Sequence, residues 1–219
     1  MWEYYLKQLI ESLPLFLRGL GMTAAVSGIG ILAGTIIGFV AGIIRAGGNK
    51  LISFLIGAWV DLIRGTPFLV QLFIIFFILP EMGLHLDAFP AAVLALTNLS
   101  ACFICEIVAG GILAVPTGQK EAATASGLSC FQQLRQVIIP QAMSTILPPL
   151  VGQYVLLIKD SSVVSVIGVI DVTRAGWLTV QRVPEGLMVF GLVGILYFSI
   201  CYPLIRLSNI LESRLNLGG

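Results

Sequence analysis

Residues Lys120–Pro140 read KEAATASGLSCFQQLRQVIIP. This is a polar island, carrying Lys120, Glu121 and Arg135, set between long apolar stretches. Glu121, Ala122, Ala123 and Ala125 are strong helix formers, and Gly127 can supply the left-handed turn that ends a helix. From Phe131 a second helical pattern begins, with Leu134, Val137 and Ile138 on one face and Gln132, Arg135 and Gln136 on the other. A helix–glycine–helix of this size is too short to be a domain. It has the form of a docking handle, or of an ordinary amphipathic loop helix.

Outward from this island the chain is strongly apolar. Of its 219 residues 58% are hydrophobic and 11% charged, and the mean hydropathy is +1.01. Soluble domains carry about 25% charged residues. The chain lacks the polar residues to cover a water-facing surface, so it reads as an all-α integral membrane protein embedded in the lipid bilayer. A net charge of +1 leaves no electrostatic footprint for nucleic acid. Cys102-x-x-Cys105 lies inside an apolar segment with no second pair and no histidine cluster. It reads as small packing residues rather than a metal or redox site. The N-terminus lacks the basic start, apolar core and cleavage pattern of a signal peptide, so none is expected.

Five spans are expected, at about 19–44, 51–80, 89–113, 142–170 and 187–210. Residues 1–18 mix Trp2, Tyr4, Leu6 and Phe16 with Glu3, Lys7, Glu11 and Arg18, an interfacial amphipathic composition. Gly19–Ile44 is free of charge and longer than the ~20 residues a span needs. Within it Gly30, Gly34, Gly38 and Gly42, with Gly28 nearby, form a small-residue stripe for close helix contact. Arg45–Lys50 (RAGGNK) reads as a basic loop.

A straight helix over 51–80 would reach ~45 Å, beyond the ~30 Å hydrocarbon core. Pro67 breaks it at 64–67 by removing a donor and pushing Thr66 out of the helical region. Residues 81–87 carry no Lys or Arg, and His85 among them reads as solvated. Residues 114–140 form the loop that holds the island, 171–186 read as a polar segment, and 211–219 as a tail.

Lys and Arg set the orientation. Arg45, Lys50, Lys120, Arg135, Arg206 and Arg214 fall on one side, against Arg174 and Arg182 on the other. That split places the island and the C-terminus in the cytosol and the N-terminus outside, with Lys7 and Arg18 at the interface. No internal repeat is evident, which disfavours an inverted-repeat secondary transporter.

Ionisable residues inside spans are expensive and face a bundle interior or a wet cavity. Arg64, Glu106, Lys159 and Asp160 qualify, and counting along the helices puts them in roughly one layer near the midplane. Two cations and two carboxylates sum to zero. That suits a zwitterionic solute, with its carboxylate near Arg64 or Lys159 and its amine near Glu106 or Asp160. It equally suits an internal ion-pair network that fixes helix register. Adjacent Lys159 and Asp160 point ~100° apart, so one of them is structural. Thr66 and Gln71, at the break, and Asn98, two turns before Glu106, would line the same cavity.

These residues also carry a resemblance. Glu121-Ala122-Ala123, then Gly127 and Ile139-Pro140, resembles the EAA loop of bacterial ABC importer permeases. Arg64-Gly65-Thr66-Pro67 with Gln71, Glu106-Ile107 with Gly110-Gly111-Ile112, and Leu147-Pro148-Pro149 followed by Ile158-Lys159-Asp160-Ser161-Ser162 are similar to three further motifs, in order, of the polar amino acid subgroup. Val108-Ala109 departs where many relatives place an apolar residue and then arginine. Ser100-Ala101-Cys102 and Ser162 depart as well.

The resemblance implies a type I importer permease fold in the bacterial inner membrane. It implies two cytosolic ATP-binding subunits, a second permease copy (identical or paralogous) and an extracytoplasmic amino-acid-binding protein. Lys120, Glu121, Ala122, Ala123 and Gly127 would couple to the ATPase. Arg64, Thr66, Gln71, Asn98, Glu106, Lys159, Asp160 and Ser161 would meet the substrate.

No Walker-type phosphate loop occurs, and no cofactor, metal site or catalytic residue is expected. An intramembrane enzyme is disfavoured, because no span holds a histidine and Lys159 and Arg64 would disturb a Glu106–Asp160 dyad. The alternative to the ATP-driven importer is a secondary transporter or channel for small polar solutes that works without an ATPase.

Overall fold

The computed structural model describes residues 2–183 and 185–216. Met1, Pro184 and residues 217–219 lie outside the described residues, and with them the first residue of the expected interfacial segment and the end of the expected tail. All regular structure among the described residues is helical. Three long helices and the run 130–167 are apolar and long enough to cross a bilayer, and a bent helix pair makes a fifth where its two arms count as one span.

Helix α1 (Trp2–Gly47) runs unbroken through both the amphipathic segment and the first span. The RAGGNK stretch is therefore not the loop its composition implied. Arg45 completes the last turn of α1, where a cation is favoured by the helix dipole. Helix α2 (Lys50–Arg64) then starts directly, the Asn49 side chain accepting from Leu51 N–H.

Helix α4 (Ala88–Leu113) is the buried centre of the bundle, and α1 lies against it along the glycine stripe. A Cβ at Gly38 would come within 2.6 Å of the Ala101 carbonyl oxygen, and one at Gly42 within 2.7 Å of Val108 Cβ. Gly28, off the stripe, faces open space. The absent side chains let the two backbones approach, with Leu96, Ile104 and Val108 filling the seam. The same device recurs at Gly111, where Ile146 occupies the place a side chain would take.

Gly65 ends α2, donating its N–H to Asp61 O at 2.8 Å. Helix α3 (Phe68–Phe73) leaves the break at a steep angle and widens into a π-helical turn over Ile74–Ile78, then a 3₁₀ turn over Leu79–Met82. The two arms, Lys50–Arg64 and Phe68–Met82, are bent by 102°.

After α4 come α5 (Thr117–Ala125) and α6 (Cys130–Gln133), then a π-helical turn over Leu134–Ile138 that feeds α7 (Ile139–Asp160). Each π-helical turn is followed two residues later by a proline, Pro80 or Pro140. Proline removes the donor for the carbonyl one turn back and pushes that carbonyl aside, and a wider turn accommodates both.

A 3₁₀ helix (Ser161–Ile167) continues α7. The segment read as merely polar holds α8 (Val172–Val180), with Val172, Ala175, Gly176 and Thr179 buried. These sit with Phe16 of α1 and Val189 and Val193 of α9 (Gly186–Asn216). Phe16 is only 1% exposed, so this end of the amphipathic segment is anchored in protein as well as amphipathic in composition.

Candidate functional site

Three structural groups emerge from the residues singled out for substrate. The first is a charge cluster. Arg64, the last residue of α2, reaches α4, where its Nη1 lies 3.2 Å from Glu106 Oε2 and its guanidinium stands 5.4 Å from the centre of the Phe103 ring. The same Glu106 oxygen also accepts from Nη1 of Arg45. The cluster thus holds two guanidiniums around one carboxylate, with one cation in excess. Arg45 was read only as a marker of loop charge. What brings it here is the continuation of α1 through Arg45, and its place at the end of an apolar run ahead of Gly47-Gly48 was the available signal.

The second group surrounds the break. Gln71 is 6% exposed, and its Nε2 donates to Ile63 O (2.6 Å), Thr66 O (3.1 Å) and Thr66 Oγ1 (3.0 Å). The first of these bonds reaches the Ile63 carbonyl, the one that Pro67 deprives of its helical donor, and the others tie Gln71 to Thr66. Gln71 Oε1 is buried without a partner, an acceptor left open to a donor. Thr66, Gln71 and Asn98 line one cavity of about 280 Å³ with Ile63 and Val70. The Asn98 carbonyl accepts from Trp59 Nε1 at 3.2 Å, tying α4 to α2.

The third group lies elsewhere. Lys159 faces a pocket of about 300 Å³ with Ser162, Thr173 and Tyr197, between the end of α7 and helices α8 and α9. Asp160 is half-buried. Ser161 is 1% exposed and donates to Ile158 O at 2.7 Å, so its hydroxyl is engaged in the helix and closed to a ligand. Among the described residues no ion pair joins Lys159 or Asp160 to Arg64 or Glu106. The single compensated layer expected of four charges is therefore two separate sites. A linear count of helix rise gives depth along a helix, and it says nothing of which faces meet.

A buried carboxylate that composition did not single out lies beside the third group. Asp171 is 0% exposed. Its Oδ1 accepts from Arg174 N–H at 2.8 Å, which caps α8, and its Oδ2 accepts from the Tyr197 hydroxyl at 3.0 Å. Burial pushes this carboxyl above its ordinary range, and the bonds from Arg174 N–H, Tyr197 and Thr173 pull it back. Asp171 followed by apolar or small residues at 172, 175, 176 and 179 is the helix-start pattern that would have revealed it.

The polar island is a compact elbow. Helix α5 begins after Pro116 and exposes Glu121 and Ala122, while Ala123 is 5% exposed. Gly127 turns the chain at φ 77°. Ser129 and Gln132 form a capping box that starts α6, one position ahead of the Phe131 start read from the sequence. Gln133 Nε2 donates back to Leu128 O (2.8 Å) and Thr124 Oγ1 (3.2 Å), pinning the turn. Lys120 points to a cavity of about 520 Å³ walled by Ile43, Ile112 and Phe131.

Comparison with known proteins bears on this architecture. Residues 34–217 match the sequence profile of the family described as binding-protein-dependent transport system inner membrane component. The glutamine transport system permease protein GlnP of Escherichia coli K12 is 35% identical over 94% of this chain and 95% of its own length. The probable amino-acid ABC transporter permease protein YckA of Bacillus subtilis is 34% identical over 97% of this chain and 95% of its own.

Among solved structures, the crystal structure of an amino acid ABC transporter with histidines superposes with a TM-score of 0.85 at 33% identity, covering 94% of this chain and 96% of that one. The inward-facing MetNI methionine ABC transporter, at 24% identity and a TM-score of 0.78, shares the fold. The expected all-helical importer architecture is thus present, and the chain belongs to the binding-protein-dependent inner-membrane transport components, as a multi-pass permease subunit of an ABC importer.

Proposed function

We propose that this chain passes a polar α-amino acid across the inner membrane by alternating access, driven through α5. As a permease it is a transport subunit rather than an enzyme, and its family works with an ATPase and a substrate-binding protein. The finer assembly follows the resemblance: two ATPase subunits, a second permease copy, the N-terminus and Trp177 outside, and α5 in the cytosol.

The observation that carries the reading is the broken helix at 64–67. Broken backbone at membrane depth is tolerated where it is buried in protein or lines a cavity. Here the chain at the break carries the exposed cation Arg64 two residues before Thr66, which with Gln71 and Asn98 edges a cavity. Arg64 is suited to an α-carboxylate, because its planar fork matches one in two bonds.

The open Gln71 Oε1 and the Asn98 amide suit a polar side chain or amine. Glu106, engaged by two guanidiniums, serves to balance charge. Nucleotide-driven closure of the ATPase pair would displace α5 and rock the spans. Release would follow when the pair reopens.

The test is Glu121→Ala in the reconstituted complex. Uptake of L-glutamine, L-arginine, L-histidine and L-glutamate should fall at least ~10-fold for whichever the parent accumulates, while ATP hydrolysis and assembly persist. Parental uptake by this variant, or uptake by the isolated chain without an ATPase, overturns the proposal.

A further inference from the structure

We propose that Arg45 is a positioning residue for transport: a spare cation that keeps Glu106 compensated while Arg64 leaves it for the substrate carboxylate. This rests on the reading of Arg64 given above. Arg64 cannot serve both Glu106 and an incoming anion with its full fork, and abandoning Glu106 would strand a carboxylate inside the bundle. Glu106 is 38% exposed, so solvent screens part of that cost, but a carboxylate without a partner between two spans is still disfavoured. A second guanidinium already seated on the same oxygen removes that obstacle.

The two arginines are held unequally, in the sense this exchange requires. Arg45 is the more buried side chain, 23% exposed against 37% for Arg64. It comes from the last turn of α1, and that turn is fastened to α2 where Ser53 Oγ donates to Arg45 O at 3.0 Å. Its guanidinium passes over Gly57, in ordinary contact range, a Cβ there lying 3.8 Å from Arg45 Nε. Arg45 is therefore a fixed tenant, wedged between α1, α2 and α4.

Arg64 stands at the mouth of the break, where its guanidinium also lies over the face of Phe103. A ring face attracts a cation without fixing its direction, so Arg64 can turn from Glu106 and keep this contact. The surplus positive charge of the cluster also favours an anionic group as the incoming partner.

The test uses the complete complex in liposomes, at saturating binding protein, with the amino acid that the parent accumulates from glutamine, arginine, histidine and glutamate. Arg45→Gln should cut the uptake rate about tenfold, because Arg64 becomes the sole partner of Glu106. Arg45→Lys, which keeps a cation, should stay within about threefold of the parent. The deciding variant is Arg45→Gln with Glu106→Gln, which frees Arg64 by removing the charge it would otherwise have to guard. Its uptake should recover to within about threefold of the parent.

If Arg45 merely cements three helices, the double variant will be no better than Arg45→Gln, and the inference falls. Should Arg45→Gln fail to assemble, the assembled double variant carries the test alone, and a tenfold deficit in it overturns the proposal. Arg64→Gln separates the two levels. Parental uptake by Arg64→Gln, or no accumulation of any of the four amino acids, overturns the reading of Arg64 itself. A loss with Arg64→Gln alongside an unaffected Arg45→Gln overturns only the role given to Arg45.

Discussion

The seam between α1 and α4 and the elbow between α2 and α3 solve the same problem in opposite ways. Along the seam, residues with no side chain let two uninterrupted helices touch, and every backbone bond stays inside its own helix. At the elbow the chain gives up helical bonds and recovers some of them from a side chain, Gln71. Apolar contact holds the first, and a few directed polar bonds hold the second. A close-packed seam resists graded deformation, whereas an elbow held by a few bonds can change partners. The first makes a spine, and the second is the gate of the transport cycle proposed above.

This contrast is sharpest under substitution. Gly38→Leu drives a side chain into the Ala101 backbone, and it should cost ~3 kcal/mol or prevent assembly altogether. Gly28→Leu, facing open space, should change little. Yield of assembled complex and its thermal unfolding in detergent compare the two, and equal effects would break the picture of a one-sided seam. Gln71→Leu strands the Thr66 carbonyl and leaves Ile63 O only its longer bonds from Thr66, a cost of ~2 kcal/mol. It should reduce uptake more than it lowers the melting temperature, because the damage falls on the gate. A large loss of stability with normal transport would reverse the assignment.

Effects at the two ends of the bundle are smaller. Ser129→Ala removes the capping box of α6 and should cost ~1 kcal/mol, seen as faster hydrogen exchange over residues 128–134. The smallest effect is a pH slope at Asp171, which lies between the fourth and fifth spans. A carboxyl whose folded-state pKa is raised takes up protons on folding. Stability therefore falls as pH rises from the ordinary value of 3.8 through the raised one, and is level above it. Asp171→Asn should flatten that slope in thermal unfolding, and an unchanged slope would place the titration elsewhere.

Most of this fold is written in patterns local to the chain. Apolar runs gave the long helices, Pro67 the break, Gly127 the turn in the island, and the glycine spacing the sticky face of α1. What stayed hidden depends on which faces meet after folding. Glycine spacing does not name Leu96 and Val108 as the filling partners. Arg45 looks like loop charge until α1 is seen to carry it as far as Glu106. Lys159 and Arg64 look equally deep, yet Lys159 lines a pocket with Thr173 and Tyr197 while Arg64 pairs with Glu106. The short helix α8 was legible in principle, because its buried positions recur with helical spacing behind a capping aspartate, but its polar composition masked it.

The bonds from Gln133 to Leu128 and Thr124 have a mechanical meaning. A reversal made by glycine alone would behave as a slack tether, soaking up any shove given to α5. Cross-braced as it is, the bend acts as a bell-crank. On the coupling role proposed for Glu121, sideways motion there would become rotation at the foot of α7, with the overwide turn ahead of Pro140 as the place to yield.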